Sequence, residues 1–307
     1  MSFLTLAQPW VQAARPVALP MILLPLLLGQ LLAFDVQGQF SVEMLIYALL
    51  FGVIYQVYLL YTNDHADEAV DRISTQYWLS GGSRVLPQGK LGGDDLLVGA
   101  RVALAALVAL TFFIALVGDR PWVWICTLLA VLACHAYHRP PLQLAYRGHG
   151  EILQGLACGV LLPLIGFYLQ QGSLQQFPWP ALVPLYLLFH AGNIITALPD
   201  YKADRAVGKR TFPVRVGERN ARITAISLLA VACASVPLLA VSASWVWMAI
   251  IVAPAGLIIA GLLASGLLNK ADVADFPACK AFVTWLSVSQ AWLLCAWTGV
   301  LLIGAER

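Results

Sequence analysis

The chain has 307 residues, 60% of them hydrophobic and 11% charged, against the roughly 25% charged residues of a soluble globular domain. Lipid rather than water is the solvent that this composition suits, and a net charge of +2 is too small for a nucleic-acid-binding surface. The six cysteines are scattered through apolar stretches with no CxxC pair and no zinc spacing, which reads as packing.

A membrane-crossing helix needs about 20 apolar residues. Such runs fall, in chain order, at about 17–34, 43–61, 96–117, 121–138, 151–170, 180–199, 221–241, 244–266 and 281–304. The first follows Arg15, lacks a small-residue cleavage site and is succeeded by many similar runs, so it reads as a membrane span and not as a signal peptide. The pattern predicts an all-α integral membrane protein of nine transmembrane helices, with 1–307 as a single domain. Connections on one side, such as DVQGQFS and VGDR, are short and nearly uncharged, whereas those on the other are long and basic. Every Lys and Arg except Arg120 and Arg307 falls on the basic side, which makes that side cytoplasmic and places the N-terminus there. An odd helix count sends the C-terminus to the opposite face. Trp10, Trp78, Trp122, Trp179 and Trp245 sit near span ends and read as an aromatic belt. His135, His138 and His149 crowd the fourth span without an i, i+4 pair, and read as interfacial polar residues.

Two spans end in aspartate clusters on the same face: NDHADEAVD (63–71) and DYKADRAVGKRT (200–211). If the second span continues as a helix, Asp64, Asp67 and Asp71 stand at i, i+3 and i+7 and share one side of it. Asp200 and Asp204 stand at i and i+4. Like charges so stacked repel, and more so beside lipid, so a cation is needed. Nearby arginines supply one as ion pairs. A divalent metal supplies one better: Mg²⁺ prefers oxygen ligands and is usually held by one or two carboxylates together with substrate phosphates. Arg72, Arg84, Lys202, Arg205, Lys209 and Arg210 are then suited to neutralising phosphate oxygens. Gly81 and Gly82 precede Arg84 in a loop that reads either as a phosphate cradle or as a plain flexible connection. One such cluster alone is ordinary for a charged juxtamembrane loop. Two on one face point to a site.

These residues resemble the UbiA superfamily of intramembrane prenyltransferases. Asn63, Asp64, Asp67 and Asp71 fit its motif NDxxDxxxD, Asp200 and Asp204 fit its motif DxxxD, and GKRTFPVRVG (208–217) is similar to the continuation. The resemblance implies nine helices around a central cavity capped by cytoplasmic loops, dependence on Mg²⁺, and a polyprenyl diphosphate donor. It implies Asp64, Asp67, Asp71, Asp200 and Asp204 as metal ligands and Asn63 as orienting a metal-bound water. Arg72, Arg84, Lys202 and Lys209 would face the diphosphate, and Arg15, Tyr137 and Arg147 the acceptor or the diphosphate. WVQAARPVALP (10–20), GGSRVLPQGKL (81–91) and YHRPPLQLAYRGHGEI (137–152) look most like 1,4-dihydroxy-2-naphthoate polyprenyltransferases of menaquinone synthesis. Thr196, Ala197, Leu198 and Pro199 depart from the Asn-rich segment those enzymes tend to carry before the second motif. The expected reaction is Mg²⁺-dependent transfer of a polyprenyl group to an aromatic acceptor, at the cytoplasmic face of a bacterial inner membrane.

Other acceptors fit the same motifs: 4-hydroxybenzoate, homogentisate, or a non-aromatic alcohol such as a tetrapyrrole side chain. From another class, an ion-coupled transporter would also use intramembrane acids. Transporters usually place them near the midplane on broken helices, whereas here they lie at helix ends and the span interiors are nearly free of charge.

Overall fold

A computed structural model describes residues 3–74, 82–239 and 245–304; Trp78, Gly81 and Arg307 lie outside them. All regular structure among the described residues is helical. In chain order the helices are α1 (Phe3–Ala14), α2 (Pro20–Gln37), α3 (Val42–Ala66), α4 (Glu68–Ile73), α5 (Gly93–Leu116), α6 (Val123–His138), α7 (Leu144–Arg147) and α8 (Gly150–Leu156), then α9 (Leu162–Gln171), α10 (Leu182–Ala197), α11 (Tyr201–Ala206), α12 (Phe212–Val216), α13 (Glu218–Leu239), α14 (Trp245–Ala264), α15 (Leu267–Lys270) and α16 (Phe276–Gly304).

Seven helices of the described residues are long and apolar enough to cross a bilayer: Pro20–Gln37, Val42–Ala66, Gly93–Leu116, Gly150–Gln171, Trp179–Ala197, Glu218–Val236 and Phe276–Ile303. Shorter apolar helices, Val123–His138 and Ala249–Ala264, stand at the other two predicted spans. Large apolar side chains such as Leu116 (82% exposed) and Leu257 (73%) point outward, as lipid-facing residues do. Inside, α2 packs on α9, α3 on α5, α10 on α13 and α14 on α16. The α2–α9 approach needs glycine on both sides. A Cβ on Gly29 would lie 2.0 Å from the Pro163 carbonyl oxygen, and one on Gly166 would lie 2.0 Å from that of Leu26. Without a hydrophobic drive between helices in lipid, such close backbone packing is what holds them together.

Two predicted helices prove interrupted. Span 151–170 contains a π-type turn at Ala157–Leu161, just before Pro163, which has no N–H to donate into an α-helical ladder. The second span does not run unbroken through Asp71: α3 ends at Ala66, Asp67 leaves helical geometry (φ −98°, ψ 13°), and α4 restarts at Glu68. The ladder nevertheless bridges the break, since Asp67 N–H donates to Asn63 O (2.8 Å) and Asp71 N–H to Asp67 O (2.9 Å). The predicted sharing of one side by Asp64, Asp67 and Asp71 therefore survives the kink.

Candidate active site

The first aspartate cluster is assembled from three chain segments. Asp64, in the last turn of α3, is 1% exposed. It takes an ion pair from Arg15 and a hydrogen bond from the Ser83 hydroxyl. Arg15 follows α1 in left-handed geometry (φ 44°). Gln56 fixes it by donating Nε2 to the carbonyls of Ala14 and Arg15, both at 3.0 Å. Ser83 is delivered by a loop whose Ser83 carbonyl accepts from Gln12 Nε2 at 2.7 Å. Gly82 passes so close that a Cβ there would sit 1.9 Å from an Asp71 carboxylate oxygen. It therefore packs against Asp71. Arg84 donates Nη1 to the carbonyls of Asp71 and Ser74, tying the loop to the end of α4.

The second cluster comes from α11 and the turn after it. Asp204 N–H donates to Asp200 O and Lys209 N–H to Asp204 O, both at 2.8 Å. That turn aims Lys209 back across the site. Its Nζ lies 2.8 Å from Asp67 Oδ2 and 3.8 Å from Asp204 Oδ1, so one buried ammonium joins the two clusters. Ser74 joins them again by donating Oγ to Asp200 Oδ1 at 3.3 Å. Thr211 donates to Asp204 Oδ2 at 3.1 Å, which leaves Oδ1 with the ammonium 3.8 Å away and no hydrogen bond. Tyr146 at the end of α7 donates to Asp67 Oδ1 at 3.2 Å, and its ring lies 5.3 Å below the Lys209 ammonium.

Charge at the site is unevenly satisfied. Burial opposes ionisation of Asp67, but the Lys209 charge, the charge of His138 and the hydrogen bonds from Lys209 and Tyr146 together outweigh it and hold that carboxyl below its ordinary range. Burial likewise opposes the charge on Lys209, and Asp67 and Asp204 outweigh it, holding the ammonium well above its ordinary range. Asp71 and Asp204 lack such relief. Burial first, then the neighbouring Asp64, push Asp71 up to about 7 despite Arg15. Burial first, with Asp200 and Asp67 adding and Lys209 opposing, pushes Asp204 up to about 7. Two of the carboxyls are thus short of positive charge.

Sequence position misjudged some bases. Arg72 is exposed and pairs with Glu68 at 2.7 Å on the outer side of α4. Lys202 and Arg147 are exposed too. None of these three is brought against the aspartates. Tyr137 lies near enough for the charges of Lys209, Glu151, Asp67 and Asp204 to act on it, and its ring packs beside His138 and Gly150. His138 is 3% exposed and packs edge-on to Tyr137, with 4.6 Å between ring centres. Ser83, Tyr146, Thr211 and Glu151 join the site although the sequence had not marked them. Only Glu151 carried a signal, as an acid at the head of an apolar span.

Carboxylates of this number and hardness suit Mg²⁺, and the unbonded Asp204 Oδ1 is a donor atom without a proton to accept. Among the described residues, however, no three His, Cys, Asp or Glu side chains converge as a ready metal cage. At Asp64 and Asp67, oxygens that an ion would use are already paired with Arg15 and Lys209.

The profile of the UbiA prenyltransferase family matches residues 22–282. A 1,4-dihydroxy-2-naphthoate octaprenyltransferase of Escherichia coli is 27% identical over 259 residues, spanning 80% of this chain and 82% of the relative. A digeranylgeranylglyceryl phosphate synthase of Methanobrevibacter smithii is 25% identical over 238 residues, 75% of this chain and 77% of the relative. The fold is shared with a UbiA homolog from Archaeoglobus fulgidus bound to GPP and Mg²⁺, at a TM-score of 0.68 and 20% identity over 95% of this chain and 99% of that one. With helices, motifs and profile in agreement over most of its length, this chain belongs to the UbiA prenyltransferase family.

Proposed function

We propose that this prenyltransferase moves a polyprenyl group from a Mg²⁺-bound prenyl diphosphate to an aromatic acceptor, 1,4-dihydroxy-2-naphthoate, in menaquinone synthesis. The observation that carries the reading is the meeting of the two acidic clusters through Lys209 and Ser74. The names of relatives in Escherichia coli and Bacillus subtilis support that acceptor, and the Archaeoglobus homolog bound to GPP and Mg²⁺ supports donor and metal. In this reading, residues 1–307 form one domain of nine spans. The N-terminus and the site lie at the cytoplasmic face of a bacterial inner membrane, and the C-terminus at the other face.

Asp64, Asp67, Asp71, Asp200 and Asp204 would hold Mg²⁺, with Asn63 orienting a bound water. When bound, the metal neutralises the diphosphate and stabilises the charge that develops on it as it leaves. The chain's own residues do the rest. Lys209 and Arg15, released from their carboxylates, bind diphosphate oxygens as charge-assisted donors. The lipid-embedded helix bundle around the site excludes water, which would otherwise quench an allylic cation to an alcohol. The ring of Tyr137 borders the space where the acceptor ring must approach C1 of the donor. The prenyl tail lies along apolar helices, each buried CH₂ contributing about 0.8 kcal/mol.

The test is an assay of membranes containing the protein with one labelled prenyl diphosphate, Mg²⁺, and a panel of acceptors: 1,4-dihydroxy-2-naphthoate, 4-hydroxybenzoate, homogentisate and a prenylated glycerol phosphate. Mass spectrometry of the product identifies the acceptor and shows whether its carboxyl group is lost. A product formed only from the glycerol phosphate would overturn the aromatic reading.

A further inference from the structure

Glu151 is a buried acid that the reaction above leaves without a task. It opens α8, one turn inside the bundle, and is 4% exposed. One oxygen, Oε1, accepts the Phe212 N–H at 2.7 Å. That bond anchors the start of α12 directly after Thr211, which donates to Asp204, and three residues beyond Lys209. The other oxygen, Oε2, is buried and has no hydrogen-bond partner. A carboxylate oxygen shut away from both water and protein donors is costly, and such atoms are rare outside functional sites.

Its surroundings say which ligand would relieve it. Lys209 and Arg215 supply positive charge nearby. Tyr137 is close enough to feel the Glu151 charge. The residue before Glu151 is Gly150, where a Cβ would stand 3.0 Å from the Tyr137 ring edge, so the α8 backbone lies directly against that ring. Gly148, at φ +77°, lets the chain turn into α8 and leaves room for Arg215, whose Nη1 donates to the Gly148 carbonyl at 2.8 Å. Glu151 thus holds the segment that carries Lys209 and Thr211 against Asp67 and Asp204, and its helix lies against the Tyr137 ring. An O–H donor brought by a substrate would supply the partner that Oε2 lacks.

We propose that Glu151 is the base of the reaction: its Oε2 takes the hydroxyl proton of a hydroxy-aromatic acceptor while its Oε1 holds the loop that carries Lys209. The inference rests on the aromatic-acceptor reading and deepens it. The acceptor O–H bond breaks and its proton moves to Oε2. The electron pair of the resulting phenolate reaches a ring carbon, which bonds to C1 of the donor. The C1–O bond breaks and its electron pair leaves on the diphosphate. The substituted carbon then sheds its original substituent, as H⁺ to the departing diphosphate or as CO₂, which restores the aromatic ring as a phenolate. Glu151 returns its proton to the phenolate oxygen and ends the cycle ionised. A positioned base of this kind typically contributes 10²–10⁴-fold in rate.

Glu151→Gln separates the two oxygens' roles, because the amide oxygen still accepts from Phe212 N–H while the NH₂ takes no proton. The wild-type protein is assayed first with the acceptor panel. If it forms no aromatic product yet still binds prenyl diphosphate in the presence of Mg²⁺, the aromatic reading fails, and this proposal with it. Where the wild type turns over, Glu151→Gln is expected to insert normally and bind prenyl diphosphate within about threefold, with kcat down about 100-fold or more. The deficit should shrink with ring-fluorinated acceptors, whose more acidic hydroxyl needs less help from a base. Glu151→Asp should recover part of the rate. A Glu151→Gln kcat within threefold of wild type, a deficit equal for all acceptors, or a loss of donor binding that accounts for the whole defect would each overturn the assignment.

Discussion

At the end of the bundle away from the aspartates, Gln30, Gln170 and Ser41 form a closed polar set. Gln170 Nε2 donates to Ser41 O and its Oε1 accepts the Ser41 N–H, both at 2.9 Å, while Gln30 Nε2 donates to Met44 O at 2.9 Å. Arg120 finishes the same end by donating Nε to Leu169 O and Nη2 to Gln170 O, at 2.6 and 3.0 Å. The aspartate end is built from similar materials with the opposite result. Asp71 and Asp204 are pushed up to about 7 by burial and by other carboxylates, and Asp204 Oδ1 and Glu151 Oε2 lack a hydrogen bond. Polar groups at the far end lock helices together, although Gln171 Oε1 there has no hydrogen bond. Those at the near end keep oxygens waiting for partners that the protein does not contain, and such local violations of polar satisfaction concentrate at functional sites.

The largest expected effect separates the two ends most sharply. Asp67→Ala or Asp204→Ala should lower turnover about 1,000-fold or more, as removal of a group that acts on transition-state charge does, while the protein still reaches the membrane. Initial rates with labelled prenyl diphosphate check this, and near-normal activity in purified Asp67→Ala would sink the metal assignment. Lys209→Met comes next. It leaves Asp67 buried without its counter-ion, so apparent stability in detergent should fall by about 3 kcal/mol. Turnover should fall about 100-fold through the lost diphosphate contact. A variant as stable as wild type would mean that the bridge between clusters contributes little.

The same contrast explains what was legible in the sequence. Span positions follow from hydropathy alone, and α5, at Gly93–Leu116, lies within a few residues of its expected place. The carboxylates were legible because their spacing is helical. Arg72 and Lys202 lie exposed, away from the aspartates, because closeness along the chain is not closeness around a helix: a step of one residue turns about 100° and a step of two about 200°. Arg72 stands one residue from Asp71 and Lys202 two from Asp204, so both face away from the site. The break at Asp67 escaped because the residues around it suit a helix. Ser83, Tyr146 and Thr211 were invisible because a neutral side chain signals nothing until tertiary structure sets it against a charge. The departure at Thr196–Pro199 lies just before Asp200, where it leaves the carboxylates untouched.

A smaller effect follows from protonation. A carboxyl whose pKa is raised by folding binds protons more tightly folded than unfolded, so it adds stability as pH falls through that pKa. Asp71 and Asp204, at about 7 against an ordinary 3.8, should make the protein without added metal more stable at pH 6 than at pH 8. Asp67, held low, does not titrate in that window. Mg²⁺ needs the ionised form, so the rise in unfolding midpoint on adding Mg²⁺ should be larger at pH 8 than at pH 6. A gain that is equal at both pH values, or larger at pH 6, would remove Asp71 and Asp204 from the metal site.

The smallest effect on activity should come from Gln170→Ala, which probes the closed end. Gln170 is 8% exposed, and truncation leaves the Ser41 N–H and Ser41 carbonyl without their side-chain partner. Leaving buried groups unmade costs about 1–3 kcal/mol, so the unfolding midpoint should drop measurably. Turnover and Mg²⁺ dependence should stay within about twofold, because Gln170 stands at the end of α9 that faces away from Asp64 and Lys209 and exchanges no hydrogen bond with either. A loss of turnover disproportionate to the loss of stability would show that α2 and α9, packed glycine to backbone, transmit strain along the bundle to the aspartates. In that event the two ends form one mechanical unit and not a lock beside a site.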